Sequence, residues 1–233
     1  SWVTPSSVVG PAGGHAVLRF HVDRRDGFEG PVDIGLVEPP KGYRLHGARI
    51  PASQDQVRAT LESPPGKPGQ PLELRFRAAG VCRERTIEAE VSPAEDRMQA
   101  FLWRHLVPAD RFLVLPRWGS GKGRSLSLAK PERVELTPGS ATEVRVVAGG
   151  GPLPASLQIK ATDAPPGITV QSYRVLPEAC LVTFQADQTV GSGLAGNLIL
   201  EAWLTPPAKN DRKPPRPRKV GVLPPVPFVV TSR

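Results

Sequence analysis

The 233 residues are 39% apolar and 22% charged, which suits two soluble domains of roughly 100–120 residues, each able to bury its own core. The 28 prolines argue against long helices, because proline lacks an amide donor and clashes with the preceding turn; no Gly-X-Y period runs through the 23 glycines, so collagen is excluded. Of the net charge of +8, the segment 206–219 supplies +5, so the remainder is nearly balanced. No apolar run approaches the ~20 residues that span a bilayer. No signal peptide is legible, and a chain opening on Ser1 reads as a mature chain or an excised fragment.

In chain order, Val8-Val-Gly-Pro-Ala-Gly13 leads into a run at 16–22 in which Ala16, Leu18, Phe20 and Val22 share one face. Val32, Ile34 and Leu36 alternate likewise, as do Val57, Ala59 and Leu61, then Leu72, Leu74 and Phe76. Between them stand Arg19, His21, Asp33, Arg58, Glu73 and Arg75. Period-2 alternation predicts antiparallel strands with one buried and one wet face. About seven such strands in each half, punctuated by Pro and Gly, predict a sandwich of two sheets.

One segment departs from this pattern and predicts a helix over 92–105. Ser92 suits the N-cap, Pro93 the first helical position and Glu95 a capping box. Met98, Phe101, Leu102 and His105 recur at helical spacing, so the first three are expected to pack against domain 1 or the domain junction. Pro108 ends the helix, a strand follows at 112–115, and Gly119-Ser-Gly-Lys-Gly123 reads as a linker.

The second half repeats the first at an offset of about 126 residues, as the following matches show. Glu135–Ser140 answers Val8–Gly13, and 142–147 answers 16–22. Ala161-Thr-Asp-Ala-Pro-Pro-Gly-Ile168 answers Leu36-Val-Glu-Pro-Pro-Lys-Gly-Tyr43, and Arg174-Val-Leu-Pro177 answers Arg49-Ile-Pro-Ala52. Cys180-Leu-Val-Thr-Phe-Gln-Ala186 matches the 56–61 run, 197–204 matches 72–78, and 228–230 matches 112–115. The expected domains are therefore 1–118 and 119–233.

Pro11-Ala-Gly13, Arg25-Asp-Gly-Phe-Glu-Gly-Pro-Val32, Pro40-Lys-Gly42 and Ile50-Pro-Ala52, in this order between strands, resemble the Ig-like repeats of large secreted bacterial proteins. Such repeats often accompany pre-peptidase C-terminal-type domains. The resemblance covers most of both halves, less well in the second, where Gly149-Gly-Gly-Pro-Leu153 replaces the Asp-Gly-Phe-Glu-Gly stretch. It implies an all-β chain: two tandem Ig-like or fibronectin-like antiparallel β-sandwich domains, with the short helix inserted near the end of the first. It further implies an exported, non-catalytic module in the periplasm, at the cell surface or secreted, and it brings no catalytic residues.

Little in the sequence points to chemistry. His15, His21, His46 and His105 have no metal-ligand spacing, Cys82 and Cys180 form no Cys-x-x-Cys, and no nucleophile elbow is present. No catalytic residue, metal ligand or cofactor is assigned. Each half holds one cysteine, and no bond between them is expected. Asp23, Asp26, Glu29 and Asp33 surround a turn that reads either as a solvated hairpin, with Phe28 covering the core edge, or as a calcium loop. Gly119–Ser125 lacks the spacing of a phosphate loop.

The candidate interaction residues are Ile199 and Trp203, which fall on the face of their strand expected to be wet, and Lys209, Arg212, Lys213, Arg216, Arg218 and Lys219 of the basic loop 206–219. These suggest a protein partner, with an anionic surface or a glycan as alternatives. The basic loop has no aromatic residue to stack on bases, which disfavours specific nucleic-acid binding. The functional expectation is a structural module for assembly, adhesion or spacing; the rivals are a glycan-binding accessory module and an anion-binding subunit of an envelope complex.

Overall fold

Side chains that alternate apolar and polar along extended runs form ladders whose apolar faces close on one another. A computed structural model describes residues 1–98, 103–117, 125–129, 133–149, 152–206 and 215–232. The chain divides into two units, Ser1–Gly123 and Arg124–Arg233. Among the described residues there are strands and turns but no helix.

In the first unit the strands are β1 (Trp2–Thr4), β2 (Ser7–Pro11), β3 (His15–His21), β4 (Val32–Val37), β5 (Arg44–His46), β6 (Arg49–Ile50), β7 (Gln56–Glu62), β8 (Leu72–Cys82), β9 (Arg85–Glu90), β10 (Ser92–Met98), β11 (Arg104–Pro108) and β12 (Phe112–Arg117). One sheet runs β11-β10-β1-β3-β7-β5; the other runs β2-β12-β8-β4-β6, with β9 also on β8. Phe76 holds the centre of the core, edge-on to Phe20 at 5.3 Å and to Phe112 at 5.0 Å between ring centroids.

The second unit comprises β13 (Ser125–Leu128), β14 (Val134–Leu136), β15 (Ala141–Gly149), β16 (Leu157–Thr162), β17 (Ile168–Val175), β18 (Ala179–Ala186), β19 (Ala195–Leu204), β20 (Arg218–Val222) and β21 (Val226–Val230). Its sheets run β13-β15-β18-β17 and β14-β21-β19-β16, with β20 also on β19. In letters these are A-B-E-D against A′-G-F-C, the immunoglobulin-like order. Four matched runs fall on equivalent strands, β3 with β15, β7 with β18, β8 with β19, and β12 with β21, whereas Arg49–Ile50 forms β6 beside β4 and its supposed match, Arg174–Val175, ends β17 beside β18.

The helix expected over 92–105 is not formed; β10 and β11 occupy its place. Both groups of the supposed capping box find partners far along the chain. The Ser92 amide donates to the Ser1 carbonyl at 3.0 Å. The Glu95 carboxylate accepts from the Ser6 amide at 3.0 Å and from the Ser6 hydroxyl. β10 runs parallel to β1, with Trp2 beside Ser92 and Val3 beside Pro93, and Ala94 is fully buried. A short isolated helix is marginal in water, so ladder bonds and burial outweigh the local signal. Met98, expected to pack, is exposed. Phe101 and Leu102, and the linker glycines Gly119–Gly123, lie outside the described residues.

Two strands are covered on both faces, against the simple alternation. Arg58 and Thr60 of β7 are buried, as are Asn197 and Ile199 of β19.

The two units share one departure from a plain sandwich. Strand F outruns strand G, and a returning strand pairs with its excess. β12 pairs with β8 at Leu72–Leu74, and β9 pairs with Arg77–Cys82. β21 pairs with β19 at Ala195–Leu198, and β20 pairs with Glu201–Leu204. The β8–β9 turn is closed by Arg83 and Glu84 alone, at φ 48° and 65°. Two successive left-handed residues are the geometry that Asn-Gly satisfies and long side chains resist. Replacing Arg83-Glu84 by Asn-Gly is expected to raise stability by about 1 kcal/mol. Urea unfolding measures it, and an unchanged or lower midpoint would show that this turn carries no strain.

Candidate functional site

The two candidate apolar residues of β19 have different environments. Ile199 is fully buried. Beside it the chain passes from β20 to β21 through Leu223-Pro224-Pro225, and the Leu223 amide bonds the Leu200 carbonyl at 2.9 Å. Trp203 is half-buried, and its indole is engaged on two sides. Its Nε1 donates to Glu201 Oε2 at 3.1 Å, and Lys160 Nζ lies 4.8 Å from the ring centroid. Lys219, across the ladder from Trp203, bonds Glu201 Oε1 at 2.6 Å. Glu201 thus ties the indole to the base of the basic loop.

The basic loop is a hairpin loop: β19 and β20 pair through Leu204 and Arg218 on either side of it. Arg216, Arg218 and Lys219 are exposed, with Lys219 spanning to Glu201. Lys209, Arg212 and Lys213 lie outside the described residues.

The acidic turn is organised by a cation of its own. Arg24, nearly buried, donates from Nη1 to Gly30 O at 2.7 Å. From Nη2 it donates to Pro51 O at 2.9 Å and Gln54 O at 2.7 Å, and from Nε to Gln54 O at 3.1 Å. Its guanidinium carbon lies 5.5 Å from the centroid of the Phe28 ring. Asp33 pairs with Arg49 at 2.7 Å and Asp23 accepts from Trp2 Nε1 at 3.1 Å. Asp33 and Asp23 thus turn to separate partners, and the carbonyls of Gly30, Pro51 and Gln54 face the Arg24 guanidinium. Among the described residues no three His, Cys, Asp or Glu side chains converge on a metal position.

The histidines gather on one sheet. His15 meets His46 edge to face at 5.6 Å, His46 Nε2 lies 2.8 Å from Glu62 Oε2, and Thr60 Oγ1 lies 3.4 Å from His15 Nδ1. Burial first, then the neighbouring His46, lowers the His15 pKa below the usual 6.5, while Glu62 opposes. Burial and Arg19 lower that of His21, while Asp96 and Asp23 oppose. Cys82 and Cys180 are free thiols, and burial pushes Cys180 up to about 11, so it stays protonated and inert.

The helical reading overlooked Trp103, which is 75% exposed just before β11. It fell between the positions of the apolar stripe, and that was the signal available: strand alternation over 103–108 would have set it apart.

No family model and no curated protein matches the chain. Among solved structures it is similar to a titin Ig tandem at 10% identity and TM-score 0.24, over 97% of this chain and 93% of that one. It is similar to Dpr2 Ig1–Ig2, solved in complex with DIP-Theta Ig1–Ig3, at 11% and 0.31, over 98% and 96%. It is also similar to the CupB2 chaperone of Pseudomonas aeruginosa at 11% and 0.28, over 95% and 99%. The immunoglobulin-like assignment rests on the strand orders of the units themselves.

Two outcomes are expected. Added calcium leaves the melting temperature unchanged, whereas Arg24→Met costs about 3 kcal/mol by removing the guanidinium from the Gly30, Pro51 and Gln54 carbonyls; calcium-dependent stabilisation would show that the turn takes a cation. Unfolded His15 and His21 bind protons more tightly than the folded forms, so unfolding takes up protons in acid. Stability therefore falls as pH drops below about 6.5 toward the lowered folded values, and His15→Gln flattens that dependence. Urea midpoints across this range measure the effect.

Proposed function

We propose that this chain is a non-catalytic tandem module of a larger extracytoplasmic protein, serving assembly, adhesion or spacing through protein contacts. The observation that carries this reading is the shared elaboration of the F–G connection. Each unit keeps an immunoglobulin-like frame and adds its distinctive strands or charge at that one place: β9 to β11 in the first, the basic loop and β20 in the second. A frame whose variation is concentrated in one connection suits recognition, because loops on a rigid scaffold can change without disturbing its core. The exported location follows from the resemblance to secreted bacterial Ig-like repeats, and the Trp203 network makes the glycan alternative the poorer one. No helix of the described residues is long and apolar enough to cross a membrane.

The test is affinity capture from a native envelope fraction, comparing the intact chain with one in which an Asn-Gly turn replaces 205–217. A defined envelope protein retained by the intact chain and lost with the shortened one is expected. Equal capture by both would move the contact away from the basic loop. Retention of cytosolic proteins alone would overturn the location, and turnover of a substrate by the isolated chain would overturn the non-catalytic reading.

A further inference from the structure

A strand at the edge of a sheet presents backbone amides and carbonyls to any extended chain, so folded proteins blunt their edges with shortness, proline, lysine or a bulge. Among the described residues the other edge strands carry such devices. β5, β6, β13 and β14 are four residues or fewer, and β2 and β11 end on Pro11 and Pro108. β16 has Lys160 within it, and the ladders of β17 and β20 are bulged. β9 has none of these. It holds six residues, Arg85-Thr-Ile-Glu-Ala-Glu90, all exposed and in unbroken register with β8. The ladder fixes which of its backbone groups are open. Val91 N donates to Phe76 O at 3.0 Å, so at alternate positions Ala89, Ile87 and Arg85 turn their backbone groups to β8. Thr86 and Glu88 turn theirs outward, where no described strand pairs with them. Ile87, 56% exposed, stands opposite Gly80, and a Cβ at Gly80 would lie 2.9 Å from the Phe28 ring.

We propose that this edge is the contact of a two-fold symmetric dimer, in which β9 pairs antiparallel with β9 of a second copy of this chain, centred on Ile87. The occupant follows from the order of charges along the strand. Arg77 of β8 answers Glu88 at 3.2 Å, and the charges left at the two ends of β9 are Arg85 and Glu90. Antiparallel pairing lays the cationic end of each strand beside the acidic end of the other. One strand supplies both halves of that match, so its own copy is the complementary partner. The same charges set the register. Centred on Ile87, Thr86 of each copy exchanges backbone bonds with Glu88 of the other, and the isoleucines meet where cross-strand side chains are closest. Arg85 then lies opposite Ala89 of the other copy, one residue from its Glu90. Centring on Glu88 would oppose Glu88 to itself, and centring on Thr86 would oppose Glu84 to Glu88, both like-charge pairs. Dimerisation needs no envelope component, so a chain that captures none can still form it.

Sedimentation equilibrium of the full chain in reducing buffer is expected to show monomer and dimer in a concentration-dependent balance. Thr86→Pro removes an outward amide that β8 does not use, so the melting temperature holds while the association constant falls about tenfold or more. Arg85→Glu weakens self-association, as does the double variant Glu88→Arg with Glu90→Arg, and mixing the two restores a dimer of unlike copies. In a Cys82→Ser background, Ile87→Cys is expected to cross-link to its own copy under mild oxidation. A non-hydrogen-bonded pair holds its Cα atoms about 4.5 Å apart, within disulfide range. A chain that stays monomeric at about 1 mM overturns the proposal and leaves this edge to a different strand. A dimer that withstands Thr86→Pro, or in which Ile87→Cys does not cross-link, also overturns it, since the contact then lies on another surface. If Thr86→Pro lowers the melting temperature, the Ile87→Cys cross-link decides alone.

Discussion

A strand longer than its neighbour leaves backbone amides and carbonyls without partners, and in a buried sheet that is costly. In both units strand F is such a strand. β8 extends from Leu72 to Cys82, yet β12 takes up only its first residues. β19 extends from Ala195 to Leu204, and β21 again takes up only the beginning. The chain satisfies the remainder by folding back, as β9 in one case and β20 in the other. The F–G elaborations begin where strand G stops pairing with strand F.

From that shared solution the units diverge. The first turns back within two residues, Arg83 and Glu84, and then spends chain on β10 and β11 before reaching strand G. β10 joins the opposite sheet beside β1, where the Ser92 amide and the Glu95 carboxylate reach residues at the very start of the chain. The second unit places the length in the loop between β19 and β20 and fills it with proline and basic residues. One unit thus adds the paired strands β10 and β11, and the other a connection rich in proline and basic residues.

Charge inside these units is handled by pairing within the fold. Arg24 gathers carbonyls from two stretches of chain, at Gly30 and at Pro51–Gln54. Glu201 joins Lys219 to the Trp203 indole while Lys160 lies over the ring. Both sites looked available in sequence, the first to a metal and the second to a ligand. In each, side chains from elsewhere in the unit occupy the groups concerned. An exposed feature such as Trp103 differs because no such partner comes to it among the described residues.

Alternation by itself determined strands such as 16–22 and 72–76, and the repeat paired four of the runs that became equivalent strands but set Arg49–Ala52 against Arg174–Pro177, which lie in different sheets. Those features are local, set by side-chain period and by turn residues, so one sequence carries them. Tertiary structure decided what depends on residues far apart. The 92–105 segment has a sound helical start in isolation, but its capping groups bind Ser1 and Ser6, some 90 residues away. Ile199 and Arg58 read as wet by alternation, yet each lies on a strand covered on both sides, which no period can announce. The acidic turn was visible as a cluster of carboxylates, but only the fold brings Pro51 and Gln54 to Arg24. Short-range order follows from the order of side chains, whereas the fate of a polar group is settled by whichever donor or acceptor the completed fold delivers to it.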